Sequence, residues 1–210
     1  MTSFKTVVEL GCHYKNTVLE LPECSKAKVW LVEAVDELFK LIPERKNVYK
    51  IRAAVTPDYT GKKTMSGILI DTQVKYNLPE WSTTMASLNK DHPTIKKFEW
   101  ENHKSNIEVD CFSVKDLWDT YKLPYEIDFL CMDLEGYDYS VLLSIFKNNI
   151  QAKFICFESK LMTEKEISII KKTLKKNGYK HFQEGSEKDF AGVPFNSYAW
   201  KNKCPLSELK

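Results

Sequence analysis

Three carboxylates crowd into the stretch from Ile127 to Asp138, which reads Ile-Asp-Phe-Leu-Cys-Met-Asp-Leu-Glu-Gly-Tyr-Asp. Asp133, Glu135 and Asp138 follow the apolar run from Phe129 to Met132, with Gly136 as a break. Acids packed together after an apolar run are costly to fold around unless they are hydrogen-bonded or put to use. Asp138 has a plain reading as the N-cap of a helix running to Lys147. Capping accounts less well for Asp133 and Glu135, so these two are the first candidates for proton transfer or ligand binding. Two more apolar runs, Lys28–Glu33 and Lys153–Glu158, also end in acids.

The elements that position these acids are legible from periodicity. The apolar run before Asp133 suits a strand buried on both faces of a parallel sheet, whose ligands sit beyond the carboxyl ends of the strands. Thr6–Leu10 reads as a first strand ending at Gly11, and Lys28–Glu33 as a second. A helix follows at Asp36–Leu41, then a third strand over 48–55. This β-turn-α-β-α-β rhythm predicts a doubly wound, mostly parallel α/β sheet. Residues 57–106 break the rhythm with Gly61, Gly67, Pro79 and Pro93, and carry a strand-like piece at 68–70. An irregular insert of ~50 residues reads as a lid or substrate-binding segment, not a second domain. A strand at 107–112 and a helix at 113–121 opening on Ser113 and Asp116 come next. The central strand over 128–133 and a helix after Gly136 follow, then a strand at 153–158. An amphipathic helix over 163–176 opens on a Thr-x-x-Glu box and closes at Asn177-Gly178. Residues 179–183 and 197–200 read as closing strands, the last pair antiparallel.

Size and composition narrow the class. A chain of 210 residues is most simply a single domain, 1–210, with a sizeable core. A formal charge of +2 implies no polyanion partner, and Lys171, Lys172, Lys175 and Lys176 fit the wet face of a helix. No nucleic acid is therefore expected. The six cysteines, at 12, 24, 111, 131, 156 and 204, show no Cys-x-x-Cys pair, which points to a reduced, cytoplasmic setting. No stretch reaches the ~18 apolar residues of a membrane span. The first strand begins almost at once, after Phe4, as in a domain taken from a longer chain.

Gly11 lacks a Cβ and permits close approach of a ligand to the first turn. Glu33 lies about twenty residues further on, where a nucleotide ribose finds a bidentate acceptor. The two together point to an adenosine-type cofactor. The dinucleotide fingerprint fails, because His13 and Asn16 occupy its later glycine positions. A cofactor without a pyrophosphate needs fewer glycines, and S-adenosylmethionine is the common one.

At these residues the chain resembles the FkbM-type S-adenosylmethionine-dependent methyltransferases. Glu-Leu-Gly-Cys-His-Tyr-Lys-Asn-Thr, from Glu9 to Thr17, is similar to their first motif. Val32-Glu33-Ala34, Ala53-Ala54-Val55 and Ser87-Leu88 match further motifs in order. The strongest match is the segment from Ile127 to Leu142, and Phe157-Glu158 fits the next strand end. The resemblance spans about residues 6–183. It implies a Rossmann-like class I methyltransferase fold with an antiparallel last strand, and S-adenosylmethionine as cofactor with no metal required. Its cofactor contacts would be Glu9, Gly11, His13, Asn16, Thr17, Glu33, Ala34, Ala54, Asp133 and Glu135. Two departures stand out. Lys15 replaces the usual second glycine of the cofactor turn, and Cys131 replaces the usual lysine before Asp133.

The resemblance also implies methyl transfer to a hydroxyl, most often on a sugar or secondary metabolite. A narrower resemblance, to the methyltransferase part of chlorovirus multidomain glycan-building proteins, implies a carbohydrate acceptor such as rhamnose and fused glycosyltransferase domains. A sugar hydroxyl does not ionise unaided near neutral pH, so a positioned base is expected. Asp133 is the first candidate and His92 the second, although a surface loop is the plain reading of His92. Trp81 is the candidate acceptor platform, with Ser87 and Glu158 as further substrate contacts. Asp133, Glu135 and Glu158 could instead hold a divalent cation. That alternative is set aside because no histidine or fourth acid is placed to complete it. The rival classes are a catalytically silent binding module, which Lys15 keeps open, and a methyltransferase for RNA, protein or another small molecule.

Overall fold

The apolar runs become strands of one large sheet. The structure is a computed structural model and describes residues 3–15, 18–185 and 196–202. Strands β1 (Thr6–Leu10), β2 (Lys28–Glu33) and β3 (Val48–Arg52) form one half. Strands β7 (Glu126–Met132), β8 (Gln151–Glu158), β9 (His181–Gln183) and β10 (Asn196–Trp200) form the other. Their order is β3-β2-β1-β7-β8-β10-β9. The first five run parallel, and β10 is antiparallel to both β8 and β9. This is the mostly parallel sheet with a reversed last strand that the sequence predicts.

Side chains alternate along each strand, so both faces must be covered. Val8, Leu10, Leu130, Met132 and Ile155 belong to a core shared with α4 (Val114–Tyr121), α5 (Asp138–Lys147) and α6 (Glu164–Lys176). Val7, Leu31, Phe129 and Phe154 belong to the opposite core, with Val18, Cys24 and Ile42. Trp118 is buried in the first of these, and its Nε1 donates to Pro124 O at 3.0 Å. The Thr163–Glu166 capping box opens α6 as expected. Only half of the Ser113 box forms. Ser113 Oγ accepts from Asp116 N, while Ser113 N donates to Thr60 Oγ1 and not to the Asp116 carboxylate.

Two expectations need correction. The third strand does not run through 48–55. It breaks at Ala53, whose N–H still donates to Glu33 O at 3.1 Å. Ala54–Thr56 then forms β4 in a second sheet of order β4-β6-β5, with β5 at Gly61–Gly67 and β6 at Ser105–Ser113. The strand-like piece at 68–70 is likewise not a strand. β5 ends before it, Ile70 opens α2 (Ile70–Lys75), and Ile68 is buried with Met85 and Ile95. The insert thus starts as one arm of an antiparallel hairpin with β6, then continues through a 3-10 helix at Glu80–Thr84 and α3 (Pro93–Lys97).

Helix α4 ends on Lys122 in the left-handed region, φ 55°. A side chain there is strained, and glycine is the residue that relieves it. Lys122→Gly should raise stability by about 0.5–1 kcal/mol, read as a higher urea midpoint with unchanged slope. A lower midpoint would contradict the strain.

Candidate active site

The ends of β1, β2 and β7 are stitched together by main chain. Gly11 N and Cys12 N both donate to Val32 O, at 2.9 and 3.1 Å, and Asp133 N donates to Leu10 O at 3.0 Å. Gly11 has φ +74°, and a Cβ on it would lie 1.9 Å from the Asp133 carbonyl oxygen. Glycine is therefore required here by the approach of the β7 strand end, a stronger reason than the ligand approach inferred from sequence. The seam places Gly11, Glu33 and Asp133 around one cavity of about 410 Å³.

One end of this cavity is walled by Ala34, Leu38, Ala53 and Ala54, with Glu9 and Glu33 on its lining. Glu33 Oε2 accepts from His13 N at 2.9 Å and Oε1 from Val35 N at 2.7 Å. Burial raises the Glu33 pKa, while these N–H bonds oppose the rise. The carboxylate can still accept a further hydrogen bond. His13 lines the cavity with a left-handed backbone, φ 51°, and its Nε2 lies 3.1 Å from Thr83 Oγ1. Burial, then Lys15, push the His13 pKa down to about 4. Lys15 turns its Nζ to Glu80, 2.6 Å away at the rim. Asn16 and Thr17, expected at the cofactor, lie outside the described residues.

The turn after β7 carries clustered acids. Glu135 and Gly136 follow β7 with φ 46° and φ 100°, so the chain turns sharply through two left-handed residues. The insert grips that turn from behind. Ser87 Oγ donates to Glu135 O at 2.8 Å, and His92 Nε2 meets Glu135 Oε2 at 2.7 Å. His92 is only 2 % exposed, so it is not a surface-loop histidine. Nor does it line the cavity, so its route to any substrate runs through Glu135. Ser87 is buried behind the same turn, so its contact is with Glu135 and not with the cavity. Asp138 is not the N-cap of α5; Tyr137 holds that position, and Asp138 Oδ2 accepts from Leu134 N at 3.0 Å.

Asp133, Glu135 and Glu158 each bring an oxygen to within 4.8 Å of the others. Among the described residues, Asp133 Oδ1 and Glu158 Oε2 are shut from solvent and have no hydrogen-bond partner. Burial, then Glu135 and Glu158, raise the Asp133 pKa well above the carboxylate range. Burial, then Glu135, push Glu158 up to about 9, and burial raises Asp138 to about 7. Carboxylates this close cannot all ionise together, so they hold protons in common. The same trio is the kind of hard oxygen set a divalent cation takes. Glu158 faces a side cleft with Gly136 and Asp138, not the main cavity.

The insert closes the cavity. Met65, Glu80, Trp81, Thr84 and Leu88 line it, and Trp81 stays 46 % exposed at its rim. Residues of the insert thus form part of the cavity wall. Sequence reasoning missed Met65 and Glu80 and read Leu88 only as half of a motif pair, because a 3-10 helix and a short strand leave no long period to follow. It also missed Asn196, which reaches the lining from β10.

A sheet of this order, with its cavity beyond β1 and β2 and an acid at the end of β7, is the class I methyltransferase fold. Residues 17–181 match the sequence model of the Methyltransferase FkbM domain. The chain belongs to that family and is an S-adenosylmethionine-dependent methyltransferase. Solved structures are similar only at a distance. A fibrillarin/Nop5p complex superposes with a TM-score of 0.44 at 14% identity, covering 94% of this chain and 73% of that one. The magnesium protoporphyrin IX methyltransferase of Synechocystis PCC 6803, with bound SAM, gives 0.42 at 11% identity over 96% and 72%. The methyltransferase domain of bacterial CtHen1-CN gives 0.40 at 13% identity over 93% and 89%. A search of curated proteins finds no match.

Two outcomes test this geometry. Gly11→Ala should cost more than about 2 kcal/mol and weaken S-adenosylmethionine binding at least about tenfold, since backbone must move. A variant with wild-type stability and affinity would refute the seam. The second concerns His13. Between its folded pKa of about 4 and its ordinary 6.5, the unfolded chain binds a proton the folded chain does not. Stability therefore rises with pH through that window and is complete above it. His13→Gln should flatten the slope between urea midpoints taken at about pH 5 and about pH 7.

Proposed function

We propose that this methyltransferase methylates a hydroxyl of a carbohydrate, such as a deoxy-sugar of the rhamnose type within a glycan. The observation that carries this reading is that Asp133 and Glu135, two of three clustered and partly buried carboxylates, line the same cavity as Trp81, which stays exposed. Carbohydrate rings present a C–H face that stacks on an indole, leaving their hydroxyls at the edge for polar groups. Bound S-adenosylmethionine supplies a methyl already activated on a sulfonium. Glu33 would hold the ribose, with Ala34 and Ala54 beside it.

What the chain adds is alignment and a base. Asp133 takes the hydroxyl proton, its basicity raised by burial and by Glu135 and Glu158. Glu135, fixed by His92 and Ser87, orients the acceptor, so His92 is a positioning residue. The insert keeps water from the reacting atoms. A charge of +2 without a basic stripe supports a neutral acceptor over a nucleic acid. The five described cysteines, all free and buried, suit a reduced cytoplasmic setting, where fused glycosyltransferase domains would supply the acceptor.

The test is conversion of S-adenosylmethionine to S-adenosylhomocysteine with a panel of sugars. Asp133→Ala should lower kcat by about 10²–10⁴-fold, while His92→Gln costs about tenfold in kcat with little change in KM. The wild-type rate should rise with pH, as the shared protons leave the acid cluster. Turnover that persists in Asp133→Ala would sink the base assignment. Loss of turnover in EDTA would make Asp133, Glu135 and Glu158 ligands of a cation instead. A protein that binds the cofactor but methylates no sugar would sink the carbohydrate reading.

A further inference from the structure

The parallel strands of the large sheet all start at the edge opposite the cavity, and the helices that return from them end there. Backbone pairing sets lysines side by side along this edge. Lys28 N donates to Lys5 O at 2.9 Å, joining the starts of β2 and β1. Lys180 N donates to Trp200 O at 3.1 Å, and Trp200 pairs in register with Phe154, the neighbour of Lys153. Lys46 stands just before β3, and Lys176 ends α6. All six of these lysines are exposed. Acids stand among them at Glu126, which starts β7, and at Asp128, whose Oδ1 lies 2.6 Å from Lys153 Nζ. A lysine at a helix C-terminus answers the helix dipole, which accounts for Lys176. A sheet has little net dipole, so the lysines at strand starts have no such reason. The net charge of +2 conceals this edge, because its cations come from separate stretches of sequence and the clustered acids lie at the other end of the strands.

We propose that this edge docks the protein on a bilayer surface rich in anionic phospholipid, with the cavity mouth turned away from it. Seven strands at a spacing of about 4.8 Å spread the charge over about 30 Å, a broad field that suits a headgroup layer. Tyrosines flank the lysines. Tyr121 ends α4 and Tyr125 directly precedes β7, and the two are 38 % and 45 % exposed. Their amphipathic rings are of the kind that settles at the level of lipid headgroups. The cation type points the same way. The chain holds only two arginines, Arg45 and Arg52, and Arg52 is paired with Asp36. Base edges and nucleic-acid phosphates are read best by the arginine fork, whereas lysine acts as a point charge that a diffuse anionic surface attracts. Docking at this edge leaves the cavity open to the side away from the lipid, so the acceptor meets none of these lysines.

The experiment is co-sedimentation of the full chain with vesicles of phosphatidylcholine alone and with vesicles carrying about 30 % phosphatidylserine. Wild type should partition at least about tenfold more strongly onto the anionic vesicles, and lose at least about tenfold between about 50 and about 500 mM salt. A triple variant, Lys28→Gln with Lys46→Gln and Lys180→Gln, should lose at least about tenfold while binding S-adenosylmethionine as wild type does. Tyr125→Ser should weaken partitioning by about threefold with the salt dependence kept. Equal partitioning onto both kinds of vesicle would overturn the proposal, as would a triple variant that folds and still binds them fully. If the triple variant fails to bind the cofactor, the lipid and salt dependence of wild type decide. Tighter binding to a short RNA or DNA than to anionic vesicles would also overturn it, and would assign the edge to nucleic acid. Binding to polyglutamate without binding to vesicles would assign it to an acidic protein surface instead.

Discussion

The contact between Gly11 and the Asp133 carbonyl is the constraint on which the site depends. Strand order reverses at this point: β1 leads to β2 and β3 on one side and to β7 and β8 on the other. In a doubly wound sheet the crossovers then leave a crevice above the strand ends, which is where such folds bind ligands. Here the two sides approach so closely that no Cβ fits between them. The cofactor turn and the acid-bearing turn are therefore held against one another by backbone. That registration is set by main-chain contact, with the Leu134 side chain close beside it.

The second constraint is the left-handed pair Glu135-Gly136. A non-glycine residue in this region costs on the order of 1–3 kcal/mol and persists only where its surroundings over-determine it. At Glu135 the surroundings are the insert: Ser87 on the carbonyl and His92 on the carboxylate. The insert is thus more than a cover. Its backbone bridge between Ser66 and Ser87 fixes the approach of Ser87, and the His92 ring fixes the acid from behind. The residues that hold Glu135 belong to the same segment that lines the cavity.

Much of this was legible before the structure. Apolar runs ending in acids located β2, β7 and β8, and Asp133 stood out because helix capping did not account for it. Asp138 and the 48–55 strand were misread for local reasons. A carboxylate one residue inside a helix can bond the turn before it, and an uninterrupted strand-like run without Gly or Pro says nothing of a change of sheet at Ala53. His92 and Ser87 were misplaced for a different reason. Their partner Glu135 is 43 and 48 residues away in sequence, and no periodicity links a loop histidine to a strand-end acid. Unlike strands, which a pattern of period two announces, a polar contact between two irregular segments has no signature in composition or spacing.

Lys15 shows how a departure from a family motif can be absorbed. A side chain in place of glycine in the cofactor turn suggests a lost function, yet its ammonium leaves the turn and meets Glu80 at the rim. Tyr14 donates to the same carboxylate at 2.8 Å, and His13 reaches Thr83 in the same 3-10 helix. Three consecutive residues of the turn therefore contact the insert. The Lys15–Glu80 pair is exposed on both sides, so solvent screens it and it adds little to stability. What the substitution changes is the connection between turn and lid, not the lining chemistry: Glu33 and Asp133 keep their places on the cavity wall. The residue that raised the silent-module reading is thus accounted for by the lid it touches. A module without chemistry would have no use for three carboxylates clustered at the end of its central strands, two of them with buried oxygens lacking any partner among the described residues.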